Sequence, residues 1–307
     1  MNVVVTGGAG FIGANLSRRL VERGDGVVVV DDLSTGDRDN LRDLDVTFVE
    51  GTILDAATLD TAMRDASAVV HLAARPSVPR SISDPVASHL ANASGTVEVL
   101  EAARRAGNLH VIVASSSSVY GANPTLPKHE DLATMPLSPY AASKLATESY
   151  ALAYQQSFDL PALAFRFFNV FGPLQAAGHA YAAVVPAFVS AALEGRPLTV
   201  HGDGKQSRDF TYVDTVTEVI ADAIARRVTS PSPVNLAFGT RTDLLTLIAE
   251  LEALLGTRVD VEHTETRAGD VKHSQADSTR LQELFPDVVP TALPDALRAT
   301  VDWFRAQ

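Results

Sequence analysis

No cysteine occurs among the 307 residues, so disulfides, thiolate nucleophiles and cysteine-ligated zinc or iron–sulfur centres are excluded at the outset, and no metal centre is expected. Basic charge is scarce as well. The 25 Lys and Arg are outnumbered by 37 Asp and Glu, for a formal net charge of -12 and a pI near 5.0. No run of Lys or Arg concentrates the positive charge, which argues against nucleic acid or anionic lipid as a partner. Long apolar runs are also missing. The longest mainly apolar stretch, Tyr181 to Leu193, is too short for a membrane span and contains Pro186. The segment Met1 to Gly7 runs from a strand into a glycine turn, with neither a basic region nor a separable apolar region ahead of it. These absences predict a cytoplasmic protein with no nucleic-acid or membrane partner.

What is present is ordinary for a folded protein: 46% hydrophobic and 20% charged residues, with 19 Gly and 16 Pro. The first half alternates short β-branched runs with amphipathic stretches. Strands are expected near 2–6, 26–31, 46–50, 68–72, 109–114 and 161–167, and helices near 11–23, 57–65, 86–106 and 140–158. This rhythm predicts an α/β fold with a doubly wound parallel sheet covered on both faces, and Val-rich strands such as Val27 to Val30 suit burial on both sides. After Arg166 the pattern breaks at Gly and Pro, with a helix near 181–194, a strand at 198–201, a helix near 214–226 and a strand from Pro233 to Ala237. The predicted organisation is a nucleotide-binding domain over 1–166, to which 209–238 returns, and a mainly substrate-binding domain over 167–307. The smaller C-terminal α/β domain is therefore interleaved with the larger one.

Gly7-Gly8-Ala9-Gly10-Phe11-Ile12-Gly13 follows a strand and opens a helix. Glycines there let backbone approach a pyrophosphate, and the helix N-terminus offers it free N–H groups and partial positive charge. This is the fingerprint of a Rossmann dinucleotide site. Asp31 closes the next strand, where a carboxylate accepts hydrogen bonds from ribose hydroxyls and repels a 2′-phosphate, favouring NAD over NADP; Arg38 pulls the other way.

Tyr140 and Lys144, four residues apart after Pro139, share one helix face. A free phenol, with a pKa of about 10, is a poor base at neutral pH, but a neighbouring ammonium and a cationic nicotinamide both favour its phenolate. Upstream, Val111 to Ala114 leads into Ser115-Ser116-Ser117-Ser118-Val119-Tyr120-Gly121, at the carboxyl end of a parallel strand where ligands of open sheets bind.

With these residues the chain resembles the extended short-chain dehydrogenase/reductase superfamily, in its sugar-nucleotide epimerase and dehydratase branch, over almost its whole length. The resemblance rests on TGGAGFIG at 6–13, DDLSTG at 31–36, HLAA at 71–74, SSVYG at 117–121, YAASK at 140–144, RFFNVFGP at 166–173, GDGKQSRDFTYV at 202–213 and RAGD at 267–270. It implies that NAD is contacted by Gly7, Gly10, Phe11, Ile12, Asp31, Asp32, Leu33, Ser34, Thr35, Gly36, Thr52, Ile53, Leu72, Ala73, Ala74, Asn92, Tyr140 and Lys144. It further implies a catalytic set of Ser116, Tyr140 and Lys144, with Tyr120 a packing residue. A UDP-sugar is then held by Ser116, Ser117, Ser118, Tyr140, Asn169, Val184, Arg208, Arg267 and Asp270, the arginines suiting a pyrophosphate. Two positions depart from the family pattern. Asp32 stands where Asn is frequent, and Thr52 replaces an acidic residue that binds adenine.

The implied chemistry has Tyr140 remove the sugar 4-hydroxyl proton while hydride passes from C4 to NAD, leaving a 4-keto sugar that turns over and is reduced on its other face. Dehydratases and decarboxylases of the branch carry an acid between the triad hydroxyl and the Val-Tyr-Gly segment. Here Ser117 and Ser118 occupy those positions, and neither is an acid at neutral pH. The expectation is therefore a UDP-hexose 4-epimerase working on UDP-glucose and UDP-galactose. UDP-glucuronate stays open as the alternative, because three consecutive hydroxyls suit a carboxylate, although Gly172-Pro173-Leu174-Gln175-Ala176 lacks the arginines common there. A dehydratase or decarboxylase, and an NAD-binding regulator without catalysis, complete the alternatives. Helices 86–106 and 140–158 resemble the pair through which relatives form homodimers.

Overall fold

The computed structural model describes residues 1–178, 182–265 and 272–307. The first crossover units are β1 (Asn2–Thr6), α1 (Phe11–Glu22), β2 (Gly26–Asp31), β3 (Thr47–Glu50), α2 (Ala56–Met63) and β4 (Ala68–His71). Next come α3 (Val78–Ser83), α4 (Pro85–His89), a π-helical turn (Leu90–Ser94), α5 (Gly95–Arg105), β5 (His110–Ser116), α6 (Pro139–Phe158) and β6 (Ala162–Phe167). The remainder holds β7 (Asn169–Phe171), α7 (Val184–Leu193), β8 (Leu198–His201), β9 (Ser207–Arg208), β10 (Phe210–Tyr212), α8 (Val213–Arg226) and β11 (Val234–Leu236). The chain closes with β12 (Thr242–Asp243), α9 (Leu244–Leu255), β13 (Val261–Thr264), α10 (Thr279–Leu284) and α11 (Leu293–Arg305).

Seven strands form one sheet in the order β11-β6-β5-β4-β1-β2-β3, and every pairing in it is parallel. This is the Rossmann-type α/β fold read from the sequence. The strand order reverses beside β1, which makes the carboxyl ends of β1 and β4 a crevice between oppositely wound halves. β1 shows why its valines are continuous: Val3 and Val5 enter the core shared with α1 and α8, while Val4 enters the opposite core shared with α2, α5 and α6. A strand packed on both faces cannot spare polar residues on alternate positions.

A third core lies apart from the sheet, built from Phe171, Val185, Phe188, Leu198, Val200, Leu247, Leu251, Leu297 and Val301. It joins α7, α9 and α11 to the small pairings β8–β13 and β7–β10. α9 begins where Asp243 accepts the Thr246 N–H and ends at Gly256 in the left-handed region, so both ends are capped. β11 meanwhile leaves that body and pairs with β6 in the large sheet. Among the described residues no helix is long and apolar enough to cross a membrane.

The helix expected over 86–106 is interrupted. The π-helical turn at Leu90–Ser94 brings Asn92, 1% exposed, to face α6. One extra residue in a turn re-aims a side chain, which hydrophobic spacing does not register.

Candidate active site

The first end of the site is the turn from β1 into α1. Gly7 has φ of 70°, and a Cβ there lies 2.6 Å from the Ala73 nitrogen; one on Gly13 lies 2.3 Å from the Gly7 oxygen. The loop is thus pressed against itself and against the Leu72-Ala73-Ala74 segment leaving β4. No side chain caps α1 and its first turn has no acidic residue, so its leading N–H groups are left for an anion. Asp31 accepts the Ala9 N–H through Oδ2 at 2.9 Å and the Leu33 N–H through Oδ1 at 2.9 Å. Burial raises its pKa, opposed by these two bonds. Leu33 sits at φ of 57°, and the 33–36 turn closes over the carboxylate so tightly that a Cβ on Gly36 would lie 2.9 Å from Asp31 Oδ1. Asp32 accepts from Ser34 N at 3.0 Å and Ser34 Oγ at 2.5 Å, while Thr35 is exposed. Arg38 is spread over the Phe48 ring at 4.7 Å.

These features fit a dinucleotide: a close-approach glycine loop, uncapped amides for its pyrophosphate, and an ordered carboxylate for a ribose. Substituting Gly13→Ala should weaken NAD binding about fivefold or more, since crowding of this size costs about 1–3 kcal/mol. Isothermal titration with NAD checks this, and unchanged affinity contradicts it. Three further expected contacts have other duties as well. Ile53 is buried in the sheet core, and its Cδ1 fills the space a Cβ would need on Gly95. Thr52 Oγ1 accepts the Leu54 N–H at 3.3 Å in a turn. Asn92 donates to Ser143 Oγ at 2.9 Å and Arg75 O at 3.2 Å, and accepts from Arg75 N at 2.7 Å, tying α6 to the segment after Ala74.

At the other end, α6 starts with Pro139, and Ser138 Oγ accepts the Ala141 N–H. This fixes Tyr140 and Lys144 on one face beside the end of β5. Lys144 is 5% exposed and donates from Nζ to Ala114 O at 2.8 Å. Burial lowers its pKa to about 8. Burial also pushes the Tyr140 phenol up, and its hydrogen bond with Ser116 pulls it down. Ser116 Oγ accepts from Ser118 N at 3.2 Å and from Ser118 Oγ at 2.9 Å.

Three residues supporting this corner have no assigned role in the sequence reading. His71 bridges Thr6 Oγ1 at 2.8 Å and Thr96 Oγ1 at 3.1 Å, and Thr96 meets Thr147 on α6 at 3.2 Å. Burial, with the charge of Lys144, lowers the His71 pKa to about 3. Glu148, one turn beyond Lys144, pairs with Arg166 on β6 at 2.7 Å and accepts from Ser115 Oγ at 2.7 Å. Asp209 is fully buried; its carboxylate accepts from Ala276 N at 3.0 Å and Thr240 Oγ1 at 2.8 Å. The carbonyl of Asp209 accepts from Asn169 N at 3.2 Å and Nδ2 at 3.4 Å, which orients one expected sugar contact beside another, Arg208. His71 was visible in HLAA and Asp209 beside Arg208; Glu148, at i+4 from Lys144, reads as a surface charge.

The His71 shift has a definite sign. Its folded pKa lies below the ordinary value of 6.5, so the unfolded chain binds more protons between about 3 and 6.5. Stability should fall as pH drops through that window. Calorimetric melting from pH 7 to 4 checks this, and His71→Gln should flatten part of the slope. An equal slope in the variant counts against the assignment.

Of the remaining expected residues, Tyr120 is buried, with its hydroxyl donating to Asn235 Oδ1 at 2.7 Å. Val184 opens α7, and Arg208 donates to Ser207 O at 3.0 Å and Lys272 O at 3.3 Å. Arg267 and Asp270 lie outside the described residues.

A model of the NAD dependent epimerase/dehydratase family matches residues 3–237. The chain is 38% identical to a UDP-glucose 4-epimerase of Mycolicibacterium smegmatis, over 99% of each chain. Among solved structures it is similar to a UDP-N-acetylglucosamine 4-epimerase from Methanobrevibacter ruminantium in complex with UDP-N-acetylmuramic acid, with a TM-score of 0.94 and 36% identity, covering 100% of this chain and 98% of that one. It is similar too to the Thermus thermophilus UDP-glucose 4-epimerase in complex with NAD, with a TM-score of 0.90 and 34% identity over 99% of each chain.

Proposed function

The chain belongs to the NAD-dependent epimerase/dehydratase family, with NAD as its cofactor, and from that premise we propose that it is a UDP-hexose 4-epimerase interconverting UDP-glucose and UDP-galactose. The observation that carries the reading is the corner at the end of β5. Ser116 lies close enough to Tyr140 to lower its pKa, Lys144 is buried one turn further along the same helix, and the positions between Ser116 and the Val119-Tyr120 pair offer only the hydroxyls of Ser117 and Ser118.

Gly7, Gly10, Phe11 and Ile12 would hold the pyrophosphate of NAD, Asp31 with the 32–36 turn its adenosine ribose, and Leu72 to Ala74 with Lys144 its nicotinamide half. Bound NAD supplies reversible two-electron oxidation at a sugar carbon. Tyr140 takes the proton from the sugar 4-hydroxyl and later returns one to the same oxygen. Ser116 hydrogen-bonds the Tyr140 oxygen, and Lys144 contributes positive charge beside the phenolate. Arg208 pairs with the substrate diphosphate and Asn169 orients the sugar, so the ring can turn about its phosphate linkage while the nucleotide stays held. Elimination from C5 and C6, or loss of a carboxylate, calls for an acid where Ser117 and Ser118 stand. A hexuronate is disfavoured because the Ser118 proton is already donated to Ser116.

In this reading the smaller body around α7, α9 and α11 covers the sugar, and α5 with α6 forms a homodimer contact. Tyr150 and Phe158 on α6 and Leu90 ahead of α5, each 44% exposed, support the latter.

The test is incubation of the NAD-loaded protein, without added reductant, with UDP-galactose, UDP-glucuronate and UDP-N-acetylglucosamine, followed by separation of the UDP-sugars. UDP-galactose should give UDP-glucose fastest. A dehydrated or decarboxylated product replaces the reading with another reaction of the family. Absence of any turnover despite bound NAD leaves the regulator.

A further inference from the structure

A serine hydroxyl has one proton to donate and two lone pairs with which to accept. On Ser116 both lone pairs are filled by one residue: the Ser118 N–H at 3.2 Å and the Ser118 O–H at 2.9 Å. The first of these bonds caps the short 3₁₀ turn Ser117–Tyr120, and any residue at 118 other than proline supplies it. The second needs a hydroxyl. With both lone pairs occupied, Ser116 has only its proton left for Tyr140.

We propose that Ser118 is a positioning residue that fixes the direction of the Ser116 proton, so that Ser116 donates to the Tyr140 oxygen and does not accept from it. This rests on the reading of Tyr140 as the proton-transfer group. A phenolate accepts the bond that Ser116 offers. A neutral phenol, needing an acceptor for its own proton, finds none on Ser116. The arrangement therefore favours the charged form against the burial that opposes it. When the Ser118 hydroxyl is removed, a lone pair on Ser116 is freed, Ser116 rotates, and the neutral phenol regains a partner.

Among the described residues, the charged and titratable groups around this corner are otherwise engaged. Lys144, on the same helix as Tyr140, donates to Ala114 O on β5. His71 on β4 lies between Thr6 and Thr96 and is held neutral by burial. Behind Ser115 the Glu148 carboxylate is paired with Arg166. None of these groups bonds Ser118 in the interactions described above, so a change confined to its hydroxyl reaches Tyr140 through Ser116.

Valine and threonine at 118 have the same shape and differ in the hydroxyl alone, so any packing penalty is common to both. Tyr140 is titrated by phenolate absorbance, with the Tyr140→Phe curve subtracted to remove the other five of the six tyrosines. Ser118→Val should raise the Tyr140 pKa by about one unit and, at a pH below it, lower kcat about tenfold with KM within about twofold. Ser118→Thr should recover both. An unmoved pKa in the valine variant overturns the proposal, as does a rise in KM at constant kcat, which is the mark of a direct sugar contact. Threonine as impaired as valine also overturns it. The titration does not depend on turnover. A shifted pKa in a protein that epimerises nothing keeps Ser118 in this role while removing the proposed function.

Discussion

Tyr140→Phe is expected to lower kcat by about three orders of magnitude, within the range of about 10²–10⁴ that a positioned acid–base group contributes, while leaving NAD affinity within a few-fold. The substitution removes one oxygen from a ring held by the start of α6, and the Ser138 cap and Pro139 that set this start are untouched. The glycine loop and Asp31 lie on β1 and β2 and are held by their own backbone bonds. Loss of activity should therefore come without loss of cofactor. The pH dependence has a sign too. Burial raises the phenol's pKa, so the wild-type rate should climb with pH as the phenolate forms, and the Phe variant should lack that limb. Rate profiles of both proteins, with bound NAD quantified, check each part. Retention of more than about a tenth of the rate removes Tyr140 from the chemistry.

Arg166→Met should cost about 3–5 kcal/mol, because breaking a buried pair strands its partner's charge. The two side chains are each 4% exposed and meet twice, Nη2 with Oε1 at 2.7 Å and Nε with Oε2 at 3.0 Å. The guanidinium also covers the Tyr120 ring at 4.7 Å and donates to Glu130 O at 3.3 Å. Without it Glu148 keeps Ser115 as its hydrogen-bond donor. A chain of this size should then melt about 10 °C lower. Adding Glu148→Gln to the variant should restore part of the loss by removing the stranded charge. The exposed Arg104–Glu101 pair, 2.8 Å apart on α5, is the control, since such pairs contribute about 0–1 kcal/mol. Equal melting shifts at the two sites contradict the account. The buried pair joins α6 to β6 one turn past Lys144, so the same variant should also impair turnover.

The large sheet was legible because its strands are buried on both faces, and a run such as Val27 to Val30 has no competing interpretation. The dinucleotide turn was legible because its glycines are demanded by close approach: Gly7 against Ala73 and Gly13 against Gly7. Tyr140 and Lys144 stood out by helical spacing only with Pro139 and the serines nearby. What escaped was whatever depends on partners distant in the chain. Glu148 and Arg166 are 18 residues apart and read singly as solvated charges. Asp209 looks like a turn residue until Ala276 and Thr240 are seen to donate to it. The π-helical turn at Leu90–Ser94 keeps the apolar pattern of an α-helix while shifting Asn92 toward Ser143. The Gly- and Pro-punctuated pattern of 167–307 does not separate α9 from α11, although Asp243 and Gly256 bracket α9 with ordinary capping signals.

The proposed inversion requires that the hydrogen leaving C4 come back to that same carbon. UDP-galactose carrying deuterium at C4 should yield UDP-glucose with the deuterium still on C4, with no net change in cofactor oxidation state and none of it in Tyr140→Phe. Product with protium at C4, or with water lost from the sugar, would contradict the central claim.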